Sequence, residues 1–240
     1  MNPLSSDATA PASSSPHPAT DESPSGADSD DFAPAPVDAV VFDLGNVLIA
    51  WDPLPAIAAG VGMQRAEAFL ADFDFAGWNL AQDSGRTFAD GEAAAIATHP
   101  HYEAEIRSYR THFEASLRGQ IDGTVALLHE LKAADVPLFA LTNWAEETFP
   151  VALDRFDFLE AFEDIIVSGE EGVAKPDPEI FEVLEERIRH IGGLDDCIFI
   201  DDNLANVHAA TMAGLDAIAF TTPDELRADL LVRGLPVAAN

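Results

Sequence analysis

Residues 40–49 read VVFDLGNVLI, an apolar run suited to a strand covered on both faces, with one acid, Asp43, set inside it. An ionised carboxylate in such a run is costly unless hydrogen bonds or an opposite charge compensate it. Either a polar network holds Asp43 or Asp43 does chemistry, and the rest of the chain has to decide between the two.

Outward from this run, short apolar stretches alternate with helical periods. Strands are expected at 38–43, 137–142, 164–167, 197–201 and 217–220, with helices near 122–134, 145–156, 179–191, 203–213 and 223–233. Strands alternating with helices imply an α/β fold, a parallel sheet with helices on both faces. The continuous runs VVF and IFI fit strands buried on both sides. The interval 53–118 holds no convincing strand, and Tyr102, Ile106, Tyr109, Phe113 and Leu117 recur at spacings of three and four. That spacing predicts one face of a helix and makes the interval a helical insertion after the first strand. Residues 1–36 carry no Lys or Arg and a single aromatic, Phe32, so an acidic disordered tail is expected there.

The chain has 240 residues, 48% of them hydrophobic, enough for a substantial core. Its one cysteine, Cys197, excludes an internal disulfide framework and suits a reducing cytosol. No apolar stretch approaches the roughly 18 residues of a membrane-spanning helix. The N-terminal residues lack the basic and apolar regions of a signal peptide, so a cytoplasmic location is expected. Acids outnumber Lys plus Arg 43 to 12, a net charge of −31. Such a surface repels nucleic acid and anionic membranes, which excludes both as partners. Beyond solubility, it suits a halophilic setting, a high-salt cytoplasm that screens the self-repulsion.

Four polar features follow strand ends: Asp43; Thr142 and Asn143 in FALTNW; Lys175 in GVAKPDPEIF; and Asp201 and Asp202 in IFIDDNLANV. Ligands of open parallel sheets bind at the carboxyl ends of strands, so the four are candidates for one site. Three carboxylates brought together raise one another's pKa, and staying ionised requires cations. Lys175 is one and Mg²⁺, a hard oxygen-seeking dication, is the natural second. Lysine, metal and carboxylate together suit a phosphate. Each residue also has a purely structural reading. Asn143 could cap a helix with Glu146 as its capping-box partner. Asp177 before Pro178 marks a helix start, Asp202 or Asn203 another, and Gly214 a helix end.

The ordered set resembles the haloacid dehalogenase-like (HAD) hydrolase superfamily over residues 38 to 222, in its C1-capped phosphatase branch. FDLGNVL is similar to the first motif, LTN to the second, the lysine of KPDP to the third and FIDDN to the fourth. The resemblance implies a Rossmann-like core of residues 37–52 and 119–240, with strand order 5-4-1-2-3, and a helical C1 cap at 53–118. It implies that Asp43 is the nucleophile and forms an aspartyl-phosphate. Thr142 donates to a phosphoryl oxygen and Lys175 neutralises Asp43 and the phosphoryl group, while Asn46 and Asn143 help bind substrate. Mg²⁺ is then held by Asp43, the Gly45 backbone carbonyl and Asp202, with Asp201 acting through water or holding Lys175.

Gly45 departs from the family pattern, which usually has a second aspartate there as general acid and base. Losing that group typically costs about 10²–10⁴-fold in rate. Asp83, His99, His101 and His112 of the insertion are candidate replacements. The implied function is a Mg²⁺-dependent phosphatase of a small organic phosphate, sugar phosphates among the candidates. One alternative is a 2-haloacid dehalogenase, in which Asp43 would attack carbon. Those enzymes usually carry an aromatic in place of Gly45 and serines in place of Asp201 and Asp202. The other is a non-catalytic phosphate-binding relative. A receiver domain is disfavoured by the large insertion and the motif order.

Overall fold

Strand β1 (Ala39–Phe42) is buried at every position. Side chains alternate across a strand, so Val40 and Phe42 enter one core cluster while Ala39 and Val41 enter the other. Burial of both faces is why the strand reads as an unbroken apolar run. The computed structural model describes residues 39–239, and the expected tail at 1–36 lies outside the described residues.

Parallel to β1 on its two sides lie β4 (Leu138–Thr142) and β6 (Cys197–Asp201). β5 (Asp164–Val167) extends the sheet beyond β4, and β7 (Asp216–Ala219) beyond β6. The order is β5-β4-β1-β6-β7. Counted over these five strands alone it is 5-4-1-2-3, read from the opposite edge. Two short strands outside the expected set, β2 (Ile49–Trp51) and β3 (Leu117–Gln120), pair antiparallel as a separate ribbon.

Five helices lie between β2 and β3: α1 (Pro53–Val61), α2 (Met63–Asp72), α3 (Phe75–Asp83), α4 (Phe88–Thr98) and α5 (Glu103–Thr111). Their apolar faces join the core on the Val40 and Phe42 side of the sheet, together with α6 (Asp122–Ala133) and α11 (Pro223–Val232). α9 (Pro178–Ile188) and α10 (Leu204–Ala213) cover the Val41 side. Two short helices, α7 (Phe149–Leu153) and α8 (Ser168–Glu171), complete the set. Among the described residues no helix is long and apolar enough to cross a membrane.

Two helical expectations are corrected. Of the expected stripe, Ile106, Tyr109, Phe113 and Leu117 are buried, while Tyr102 is half-buried in a 3-10 turn ahead of α5. However, α5 stops at Thr111, a 3-10 turn spans Phe113–Ser116, and Leu117 opens β3. A change of backbone path kept all four side chains facing the core, so periodic burial outlasted the helix. The helix expected over 145–156 shrinks to α7, because the preceding loop is committed elsewhere: Trp144 N–H donates to Ser168 Oγ at 3.0 Å and Gly169 N–H to Trp144 O at 3.1 Å. The other helix ends follow the sequence. Asp177 caps α9 ahead of Pro178, Asn203 caps α10, and Gly214 closes α10 with a φ of 110°.

Candidate active site

The β1–β6 ladder continues one residue past β1. Asp43 N–H donates to Ile200 O at 2.8 Å, which sets the Asp43 side chain at the carboxyl ends of both strands. Lys175, only 1% exposed, brings its Nζ to 3.1 Å from Asp43 Oδ1, 2.7 Å from Asp201 Oδ2 and 2.7 Å from Leu141 O. Its ammonium also lies 5.4 Å from the Phe199 ring centroid. Burial alone would depress the lysine, but Asp43 and Asp201 outweigh it and hold the pKa above the ordinary value. Asp43 is pushed up to about 7, first by burial; Lys175 pulls it down and Asp201 adds to the rise. Asp43 Oδ1 also accepts from Leu44 N–H at 2.7 Å. Oδ2 accepts no hydrogen bond among the described residues.

Asp201 is fully buried and fully used. Its oxygens accept from Lys175, from Asn203 N–H at 2.8 Å and from Asn206 Nδ2 at 3.0 and 3.1 Å. Asp202, next along the chain, is exposed. Its pKa is raised by loss of hydration first and by Asp201 second, while an Asn46 hydrogen bond draws it down. Carboxylate oxygens of Asp43, Asp201 and Asp202 lie within 4.8 Å of one another. The Gly45 carbonyl accepts no hydrogen bond among the described residues. This all-oxygen donor set fits a hard dication such as Mg²⁺. With the Asp201 oxygens already taken by Lys175, Asn203 and Asn206, the groups left to face a cation are the Asp43 and Asp202 carboxylates and the Gly45 carbonyl.

Thr142 ends β4 with its hydroxyl buried and unpartnered. Asn143 caps no helix. Its Oδ1 accepts Lys175 N–H and its Nδ2 donates to Lys175 O, both at 2.8 Å. Asn46, at a φ of 53°, accepts Trp51 N–H at 3.0 Å, which fixes the turn into β2. The structure thus brings Asp43, Lys175, Asp201, Asp202, Thr142 and Asn143 together, and gives Asn46 to the turn and to Asp202.

Beside this cluster lies a cavity of about 100 Å³. Gly45 lines it from the loop after β1, Asn143 and Thr148 from the loop after β4, and Asn79 and Asp83 from α3. Trp51, Phe88, Tyr109, Phe113 and Trp144 make its walls largely aromatic. The α3–α4 segment meets the loop after β4 and the end of α8: Phe88 N–H donates to Glu147 at 2.6 Å, and a Cβ on Gly85 (φ 92°) would lie 3.0 Å from Gly172 Cα. Of the proposed substitute acids, Asp83 lines the cavity. His99, His101 and His112 do not; His99 packs on Phe73 and His101 on Tyr102. The sequence reading missed Asn206 and Ser168. Asn206 stands three residues after the cap Asn203, one helical turn on, and that spacing could have flagged it. Ser168 carries no such signal, because its partner Trp144 is distant in sequence.

Residues 37–214 match the haloacid dehalogenase-like hydrolases, and the chain belongs to that family. It is 26% identical to a sesquiterpene phosphatase of Aspergillus oryzae over 76% of this chain and 89% of that protein. It is 25% identical to a drimenol cyclase of Aspergillus calidoustus over 81% of this chain, but spans only 36% of the cyclase. Among solved structures, a HAD family enzyme of Bacteroides thetaiotaomicron in complex with magnesium and inorganic phosphate is 23% identical. That likeness covers 78% of this chain and 95% of that one, with a TM-score of 0.60, and shows the shared fold.

Proposed function

We propose that this hydrolase is a Mg²⁺-dependent phosphatase that cleaves a small organic phosphate through an aspartyl-phosphate on Asp43. The observation that carries the reading is the buried Lys175 bridging Asp43 and Asp201, with Asp43 Oδ2 left free. Asp43 Oδ2 attacks phosphorus, and the bond to the leaving oxygen breaks with its electrons on that oxygen. Lys175 offsets the charge of Asp43 and of the incoming phosphoryl group. The unpartnered Thr142 hydroxyl donates to a phosphoryl oxygen. Asp201 and Asn143 are positioning residues: one fixes the Lys175 ammonium, the other its backbone. Asp43, the Gly45 carbonyl and Asp202 would hold Mg²⁺, which when bound neutralises phosphoryl charge. Asn46 supports this set by fixing the Gly45 turn and reaching Asp202.

Support also comes from the sesquiterpene phosphatase relative and from the magnesium and phosphate held by the structural neighbour. Helices α1–α5 act as the cap, and the aromatic cavity favours an organic group with an apolar face. A dehalogenase reading is disfavoured by the retained Asp201 and Asp202, which commit the site to a lysine and a metal. The net charge of −31 supports a small phosphorylated substrate over nucleic acid or membrane, and a cytoplasm rich in salt.

The test is phosphate release from a panel of phosphorylated metabolites, with and without Mg²⁺, by wild type and Asp43→Asn. Mg²⁺-dependent release by wild type alone is expected. Near-normal release by folded Asp43→Asn would reject Asp43 as the nucleophile.

A further inference from the structure

We infer that Asp83 is the general acid and base of this site, standing in for the carboxylate absent at Gly45. The inference rests on the phosphatase reading and adds the proton-transfer group that reading lacks. A Cβ built on Gly45 meets nothing within 4 Å, so the position of the usual acid opens on free space rather than on a packed neighbour. Asp83 lines the same cavity as Gly45 and Asn143 and is its one carboxylate among the described residues. It is 8% exposed and sits at the last position of α3.

One side chain fixes the carboxyl: Asn79 Nδ2 donates to Oδ2 at 2.8 Å. The Ala145 backbone, from the loop that carries Asn143, favours its charged form. Burial is the main force on its protonation and lifts its pKa to about 7. The Ala145 backbone and Asn79 draw it down, and the negative charge of Asp43 adds to the rise. Near neutrality both protonation states are therefore populated, which is the condition for a group that gives a proton in one half-reaction and takes one in the next.

In the first half, Asp43 Oδ2 bonds to phosphorus while the ester P–O bond breaks. The Asp83 proton passes to the leaving oxygen, giving a neutral alcohol and an Asp83 carboxylate. In the second half, Asp83 takes a proton from the water that attacks the aspartyl-phosphate. The bond between phosphorus and Asp43 breaks, releasing inorganic phosphate and restoring both side chains.

The test compares kcat/KM for n-butyl phosphate and p-nitrophenyl phosphate, with Mg²⁺, in wild type and Asp83→Asn, and traps phosphoenzyme by acid quench. Asp83→Asn is expected to lose about 10²–10⁴-fold on the alkyl ester. It should lose far less on the aryl ester, whose leaving group needs no proton, and phosphoenzyme should accumulate because water is no longer activated. A role confined to packing would lower both esters alike. Equal losses in folded protein, without accumulation, overturn the inference and leave the phosphatase reading intact. Wild type inactive on both esters and on phosphorylated metabolites would instead overturn the reading beneath it. Should the Asn variant not fold, Asp83→Glu, which keeps a displaced carboxyl, and Asp83→Ser carry the comparison. Glu is expected to retain more alkyl activity than Ser, and equal alkyl-to-aryl ratios in the two would count against Asp83.

Discussion

Asn143 grips the backbone of Lys175 at both ends of one residue: its Oδ1 accepts Lys175 N–H and its Nδ2 donates to Lys175 O, each at 2.8 Å. The Lys175 side chain then runs back under the strand ends to Leu141 O, Asp43 and Asp201. The end of β4 and the residue after it thus hold the lysine twice, by the Leu141 carbonyl and by the Asn143 side chain. A lysine gripped in this way is a preorganised charge rather than a mobile one, and preorganisation is what lets a fixed cation favour a developing phosphoryl charge.

Asn143→Ala removes both grips and leaves two backbone groups without their partner. A fully buried group left without its partner costs about 1–3 kcal/mol, and these two are only part-buried, so together they cost about as much as one such group. A drop in unfolding free energy within that scale is expected, with weaker inhibition by inorganic phosphate as Lys175 loses its fixed position. Urea unfolding and phosphate inhibition check the two effects. Unchanged phosphate inhibition in a destabilised variant would separate Asn143 from the lysine's function.

Asp83 also makes a prediction about stability. In the folded chain it keeps its proton up to about pH 7, against an ordinary value of 3.8 once unfolded. Between those values the folded state binds the extra proton, so stability falls as pH rises through the window and levels off above it. Asp83→Asn has no such proton to lose. The stability of wild type relative to Asp83→Asn should therefore decline from pH 4 to pH 7, by at most about 4 kcal/mol at roughly 1.4 kcal/mol per pKa unit. Unfolding free energies at several pH values measure it. A flat difference would show that Asp83 titrates as an exposed acid does.

The sheet and most of the polar cluster were legible because they rest on local rules. β1, β4 and β6 are continuous apolar runs, and Asp43, Thr142 and Asp201 fall at or just beyond their ends. The caps at Asp177 and Asn203 likewise follow from neighbours in sequence. What escaped depends on contacts between distant segments. β2 is three residues long and has meaning only against β3, more than sixty residues away. Asn143 looked like a helix cap because its commitment to Lys175, 32 residues on, leaves no mark in the local pattern. Asp83 was one acid among four candidate groups until the fold placed it, and not the histidines, in the cavity with Gly45.

Gly169 marks another such long-range contact. A Cβ there would lie 2.5 Å from Glu146 N and 2.7 Å from Trp144 O, both backbone atoms that cannot swing aside. Gly169→Ala must push the 144–146 loop away from α8 and strain the Gly169 N–H bond to Trp144 O. Overpacking of this kind costs roughly 1–3 kcal/mol. Because the displaced loop carries the Ala145 backbone that acts on Asp83, turnover should fall together with the melting temperature. Wild-type stability in Gly169→Ala would mean that α8 and the loop shift apart freely.

The last prediction joins Gly45 to Asp83. Gly45 is absent from the positive-φ residues, so its backbone accepts a side chain without strain, and the built Cβ meets nothing within 4 Å. The root of a side chain there therefore meets no clash. The drawback of a carboxylate is electrostatic, since it adds negative charge near Asp43 and Asp202. In wild type, with Asp83 serving as the acid, Gly45→Asp should bring little gain. In an Asp83→Asn background the balance reverses: the new carboxyl has a proton to give and no rival, and alkyl phosphate turnover should recover by about ten-fold or more. The aryl ester should gain much less, because its leaving group does not need the proton. The comparison is kcat/KM for both esters in the two single variants and the double variant, at saturating Mg²⁺ and after thermal melts confirm folding. Recovery in the double variant would show that the two positions serve one leaving oxygen. No recovery in a folded, Mg²⁺-responsive double variant would place the leaving group out of reach of Gly45.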